Sequence, residues 1–260
     1  YAPSVAAADK LDLVFFSYLE RAGSDEHYTS NYFTREDLQR FHDKSGVQFG
    51  YGEEYRHNFV KHEGYGHVMF LDLWDPILPA SMGPDITKKG NDDGVLRTGI
   101  ETARDGGATV LWCHNVRGLE DIPNWLAGLL HGQIFFEQDG TAPNDDGYYS
   151  YLNIGLKVPL STGTDWFFRD MAMTYVKVSR PFDDTRWLGA LRAGRSTMTN
   201  GPLLDFSVNG QTLGSTLESD GPTTVSIRAQ AAGRVDFKAL ELLQNGKVIR
   251  RVTTQEQAGH

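Results

Sequence analysis

GVLRTGIETARDGGATVLWCHN, residues 94–115, holds one helix and one strand in succession. GVLRTGIETARDGG is a helical segment stopped by glycine. ATVLWCHN (108–115) is a short apolar run that ends on polar side chains. The same alternation continues on both sides. Upstream, a polar helical piece (4–10) precedes LDLVFF (11–16). Thr34 opens TREDLQRFHDKSG as a helix cap, with Glu36 and Asp37 in the first turn and Gly46 as its stop. VQFGYGEE (47–54) and GHVMFLDLW (66–74) read as strands. Downstream, DIPNWLAGLLHG, GYYSYLNIG and DDTRWLGALRAG read as helices, and QIFFEQ, LKVPLSTGTD and MTYVKV as strands. Helix and strand in alternation predict an α/β fold, a parallel sheet with helices packed outside it, closed as a barrel or left open. Polar residues gather where the strands end, at Glu54, His114 and Asp165, and in a β/α barrel the loops after the strands build the site. His67 is the exception, at the start of its strand.

The character changes near residue 196. From there short alternating runs are separated by Asn-Gly, Asp-Gly and Gly-Pro pairs, which is antiparallel β chemistry, and QNGK (244–247) reads as a hairpin turn. The chain is therefore divided into a β/α barrel at 1–197 and a small β-rich, sandwich-like domain at 198–260 with four or five strands.

With 260 residues, 40% hydrophobic, the chain lies far from the composition of disordered proteins. Its net charge of −9, with no basic run longer than Lys88-Lys89 or Arg250-Arg251, argues against a nucleic-acid partner. No apolar stretch approaches the roughly 20 residues that cross a bilayer, so no membrane span is expected. The N-terminal residues carry no basic segment followed by an apolar core, so no signal peptide is read there. Periplasmic, secreted and cytoplasmic locations all stay open, as does the oligomeric state. The single cysteine, Cys113, excludes an intrachain disulfide and a cysteine-rich zinc site. Neither a glycine-rich phosphate loop nor a G-x-S-x-G elbow occurs, which takes support from nucleotide and seryl-nucleophile chemistry.

Three constellations carry chemistry. Gly52-Glu53-Glu54 followed by Gly66-His67 places two carboxylates and an imidazole in short order. A divalent cation satisfies such a set; pairing of the glutamates with Arg56 and Lys61 in a solvated loop also satisfies it. His57 and His62 read as loop residues or as supports behind the ligands rather than as ligands. His114 closes an apolar strand and reads equally as a ligand or as a core histidine bonded to a carbonyl. Cys113 beside it reads as a packed thiol pointing the other way. Ser161-Thr162-Gly163-Thr164-Asp165 delivers one carboxylate from a small, polar strand end, or caps the segment that follows.

The order Gly-x-Glu, Gly-His, strand-terminal His, Gly-x-Asp resembles the ligand order of PHP metallohydrolases. GGATVLWCHN, YYSYLNIGLKVPLSTGTD and WLGALRAGRSTMTNGPLLDFSVNGQTLG resemble the carbaryl-hydrolase-like (CehA/McbA) branch, over about residues 46–214. The resemblance implies a PHP-type distorted (β/α)7 barrel, related in design to the TIM barrel. It also implies a centre of two or more divalent ions, zinc, manganese or iron, held by Glu54, His67, His114 and Asp165, with Glu53 as the alternative to Glu54. Glu137, Arg169 and Asp170 are candidates for contacts with the ligands or substrate. The implied activity is hydrolysis of a small phosphoester, or a carboxyl or carbamate ester, by a metal-activated water. Three departures accompany this. The His-x-His of the first PHP strand is absent, and the barrel is expected to be truncated at its N-terminus. LDLVFF leads into Ser17-Tyr18-Leu19-Glu20-Arg21 rather than Asp-His. Trp166 and Phe167 follow the late Asp where x-His is usual. A catalytically reduced barrel that binds a glycan or a protein is the alternative reading.

Overall fold

The computed structural model describes residues 2–22, 27–57, 64–83, 94–113, 119–136, 145–164, 173–233 and 237–253. The chain forms two compact units, Tyr1–Gln133 with Arg180–Leu188, and Ile134–Ser179 with Gly189–His260.

The first unit contains α1 (Ala2–Ala8), β1 (Leu13–Ala22), β2 (His27–Ser30), α2 (Arg35–Ser45), β3 (Gln48–His57) and β4 (Gly66–Leu71). It continues with β5 (Ser81–Met82), α3 (Leu96–Asp105), β6 (Thr109–Trp112), α4 (Asp121–Leu126) and the start of β7 (Gly132–Phe136). α2 begins where its sequence requires. The Thr34 hydroxyl accepts from Asp37 N–H while the Asp37 carboxylate accepts from Thr34 N–H, and Gly46 closes the helix at φ 74°. His27 opens β2, which pairs antiparallel with the end of β1.

The sheet of this unit runs β2-β1-β3-β4-β6-β7, with β5 on β3. β1 and β3 are parallel, as are β6 and β7. β4 is antiparallel to both β3 and β6. The expectation of an all-parallel sheet is thus corrected to a mixed one. Only residues 58–65 separate β3 from β4, too few for the crossover that a parallel return needs, so the chain folds straight back.

β3 is also longer than its sequence suggested. It runs three residues past Glu54, because β4 flanks it on one side while β5 takes over from β1 on the other. One face of β1 and β3 carries Phe16, Tyr18, Phe49 and Tyr51, packed with Leu38 and Phe41 of α2, Phe33 and Trp74. Phe16 stacks on Phe49 with centroids 5.6 Å apart. Farther along the same face, Tyr55 lies against Gly99 of α3 and stacks on Phe70. Alternation along the strand makes this the helix-covered face and sends Gly52, Glu54 and Arg56 to the opposite one.

The second unit holds the end of β7, α5 (Asp145–Asn153), β8 (Leu160–Thr162) and β9 (Met173–Val176). α6 (Asp184–Arg192) follows, with Arg180–Leu188 counted in the first unit. Then come β10 (Ser196–Thr199), β11 (Leu203–Val208), β12 (Gln211–Thr212), β13 (Ile227–Ala232), β14 (Ala239–Gln244) and β15 (Lys247–Thr253). β9 and β10 form one antiparallel pair, β12-β11-β13 a three-stranded sheet and β14-β15 a hairpin. The QNGK turn forms as its sequence demands, with Asn245 at φ 52° and Gly246 at φ 74°.

Candidate functional site

Glu54, Arg56 and His67 meet on the face of the first sheet that α2 and α3 do not cover. Arg56 sits directly opposite His67 in the β3–β4 ladder. Its N–H donates to Ala80 O (2.9 Å), and His67 O accepts from Cys113 N–H (3.0 Å), so neither group is spent between the two. Such non-hydrogen-bonded pairs bring side chains closest together. Glu54 lies on the diagonal. Its Oε1 is 3.5 Å from His67 Nδ1 and 3.6 Å from Arg56 Nη1, and all three side chains are largely buried. Both distances exceed the hydrogen-bond range of about 2.7–3.2 Å, so the carboxylate lies near both groups without a short bond to either. Arg56 Nε–H donates to Ser81 Oγ (3.1 Å), and the Ser81 hydroxyl donates to Glu20 O. β5 thereby fixes the guanidinium.

Glu53 takes the other face. It is fully buried, and its Oε2 accepts from Ile77 N–H (2.7 Å), while Oε1 has no hydrogen-bond partner among the described residues. Burial, with Glu20 as a further negative neighbour, pushes its carboxyl up to about 8 against the Ile77 hydrogen bond. Tyr51 and Tyr55, beside it on the same face, are raised to about 12, chiefly by burial. This aromatic layer disfavours charge, and Glu53 does not share a face with His67.

His57, expected in a loop, is instead the last residue of β3 and is buried. Nδ1 bonds to Gly94 O, and since a carbonyl only accepts, the ring proton lies on Nδ1. Burial lowers the His57 pKa, against the bond to Gly94. Nε2 has no hydrogen-bond partner among the described residues. Cys113 is a buried free thiol, as its sequence context suggested. His62, His114, Glu137, Asp165, Arg169 and Asp170 lie outside the described residues.

Two expected metal ligands are thus brought together, Glu54 and His67. A donor separation of 3.5 Å fits a shared cation, because bonds of about 2.1 Å at tetrahedral angles put two donors about 3.4 Å apart. One carboxylate oxygen and one imidazole nitrogen also suit zinc, manganese or iron in kind. Among the described residues no group of three or more His, Cys, Asp or Glu side chains converges. Sequence reasoning took Arg56 as a solvated partner of the glutamates and passed over Ser81. The i, i+2 spacing of Glu54 and Arg56 was the available signal for the first, and nothing local marked the second.

No protein-family model matches the chain, and neither does any curated protein sequence. Among solved structures, the chain is similar to a two-domain protein of Bacteroides vulgatus containing a predicted PHP-like metal-dependent phosphoesterase. The TM-score is 0.51 at 12% identity, over 91% of this chain and 83% of that one. The fold is PHP-like. At that identity the likeness carries the fold and leaves the CehA/McbA branch without support from the comparison.

Proposed function

We propose that the protein is a metal-dependent hydrolase of the PHP kind, acting on a phosphoester or on a carboxyl or carbamate ester. The observation that carries this is the Glu54–His67 pair, one oxygen and one nitrogen donor 3.5 Å apart on the uncovered face of a PHP-like sheet. A divalent cation bound there would polarise the ester and acidify an attacking water. The chain's own residues do the rest. Glu54 and His67 hold the ion, with the β3–β4 ladder setting their spacing, and Arg56 offers a fixed positive charge beside them.

His114 and Asp165 are proposed as further ligands, and Glu137, Arg169 and Asp170 as contacts to ligands or substrate. These rest on sequence order alone, as do the division at 197/198, the truncated barrel and the CehA/McbA affinity. Zinc, manganese and iron are the proposed ions.

One observation favours the alternative, a barrel without metal that serves as a glycan- or protein-binding module. Arg56 already stands 3.6 Å from the Glu54 carboxylate and offers it a cation of the protein's own. Metal analysis by mass spectrometry of protein purified without chelator or His-tag separates the two. The hydrolase reading expects bound zinc, manganese or iron that falls in Glu54→Gln and His67→Ala, together with hydrolysis of a phosphoester panel. Absence of metal and of hydrolysis in the wild-type protein refutes it.

A further inference from the structure

Gly66 stands immediately before His67, and its surroundings are set from behind the sheet. It is the first residue of β4 and lies at φ 123°, in the region that favours glycine. A Cβ here would fall 2.3 Å from Cζ2 and 2.4 Å from Cη2 of the Trp112 ring. The indole therefore fills the space that a side chain at 66 would take. Trp112 is fully buried and lies opposite Val68 in the β4–β6 ladder. Residues directly opposite each other point to the same face, and Val68 shares its face with Gly66 and Phe70. The ring thus reaches diagonally to Gly66 along the helix-covered face, while His67 points to the other one. The next residue of the chain, Cys113, donates its N–H to His67 O (3.0 Å). Two consecutive residues so hold His67 from two directions. Cys113 fixes its carbonyl within the plane of the sheet, and Trp112 backs the main chain just before it. That support bears on the site because Glu54 and His67 lie on different strands, and their 3.5 Å donor separation changes with any shift of β4 against β3. A close-packed interior resists such a shift.

We infer that Trp112 is a positioning residue for the Glu54–His67 pair: seated behind Gly66, it holds the start of β4 where the His67 ring meets Glu54. This rests on the hydrolase reading above, in which the pair holds the divalent ion. The Gly66-His67 dipeptide then has a physical meaning, since glycine at 66 is what admits the indole.

The test measures zinc affinity by calorimetry and the visible spectrum of the cobalt(II)-loaded protein, neither of which needs turnover. Trp112→Phe withdraws the outer part of the indole from Gly66. Phe70→Leu is the control, because Phe70 is also fully buried on the same face of β4 but lies farther along the strand from Gly66. Both variants should lower the urea midpoint. Trp112→Phe should raise the zinc Kd about ten- to a hundredfold, the usual cost of altering what lies behind a metal ligand, while Phe70→Leu stays within about twofold of wild type. The cobalt(II) bands should shift in Trp112→Phe and stay in place in Phe70→Leu. Trp112→Tyr, which withdraws less volume, decides the matter by the same two readings if Trp112→Phe does not fold. An unchanged Kd and spectrum in the Trp112 variant overturns the assignment and leaves the hydrolase reading intact. Equal losses in the Trp112 variant and Phe70→Leu overturn it too, since they mark general loosening of the core. A wild-type protein that takes up neither zinc nor cobalt(II) overturns both.

Discussion

Gly52 gives the sharpest test of how the candidate site is held. A Cβ at this position would lie 2.0 Å from the carbonyl oxygen of Phe70, a backbone atom of the neighbouring strand β4. Carbon–oxygen contacts between strands settle near about 3.3 Å, so Gly52→Ala must push the strands about 1.3 Å apart at that point. Rotamers cannot absorb the shift, because the obstacle is main chain. The register between β3 and β4 runs from Gly52↔Leu71 to His57↔Gly66, and the Glu54–His67 diagonal lies within it. Losing about two ladder hydrogen bonds at roughly 1 kcal/mol each, plus overpacking strain of about 1–3 kcal/mol, gives about 3–5 kcal/mol. That is a large share of the roughly 5–15 kcal/mol that holds a typical domain. Gly50→Ala is the control, since the atoms nearest its Cβ belong to the Phe15 ring, the first at 2.3 Å, and a side chain can turn aside. Urea unfolding followed by circular dichroism should show Gly52→Ala losing at least about twice what Gly50→Ala loses. A loss below about 1 kcal/mol for Gly52→Ala, or equal losses for the pair, would refute the argument that backbone contact fixes this register.

Glu53→Gln should change how stability depends on pH. The carboxyl rises from 4.5 to about 8 on folding, so between those values the folded chain keeps a proton that the unfolded chain releases, and stability falls as pH rises. Glutamine still accepts from Ile77 N–H and never ionises. Urea titrations at pH 5, 6.5 and 8 should show the variant gaining on wild type toward pH 8, with a ceiling of about 5 kcal/mol; parallel profiles would contradict the burial argument. Thr34→Ala removes the α2 cap and should lower stability by about 1 kcal/mol, read from the urea midpoint at constant slope. Gly246→Ala puts a side chain at φ 74° with its Cβ 3.2 Å from that of Tyr149. It should cost about 1–2 kcal/mol and speed amide exchange in β14 and β15 first.

The two adjacent glutamates show how far the sequence could be read toward the site. Alternation along a strand already says that Glu53 and Glu54 point apart. It does not say which of them meets His67, because that depends on how β4 registers on β3. The observed pairing sets Arg56 against His67 and puts Glu54 on the diagonal. Glu53 goes beneath the helices, where burial keeps its proton on. Arg56 read as a solvated partner of the glutamates for a similar reason. Instead it is buried and donates to Ser81, which lies 25 residues away in the chain.

By itself the sequence determined the features that neighbouring residues decide. These are the α2 cap at Thr34 and its stop at Gly46, the Asn-Gly turn of the last hairpin, the succession of helices and strands, and the change to antiparallel β structure after residue 196. Each depends on backbone preferences and on hydrogen bonds a few residues apart. Tertiary structure alone decided the reversed direction of β4, the extension of β3 past Glu54, the face on which each glutamate lies and the anchoring of Arg56. Those depend on which strands lie side by side and in what register, and that is settled when the whole sheet buries its aromatic face against its helices.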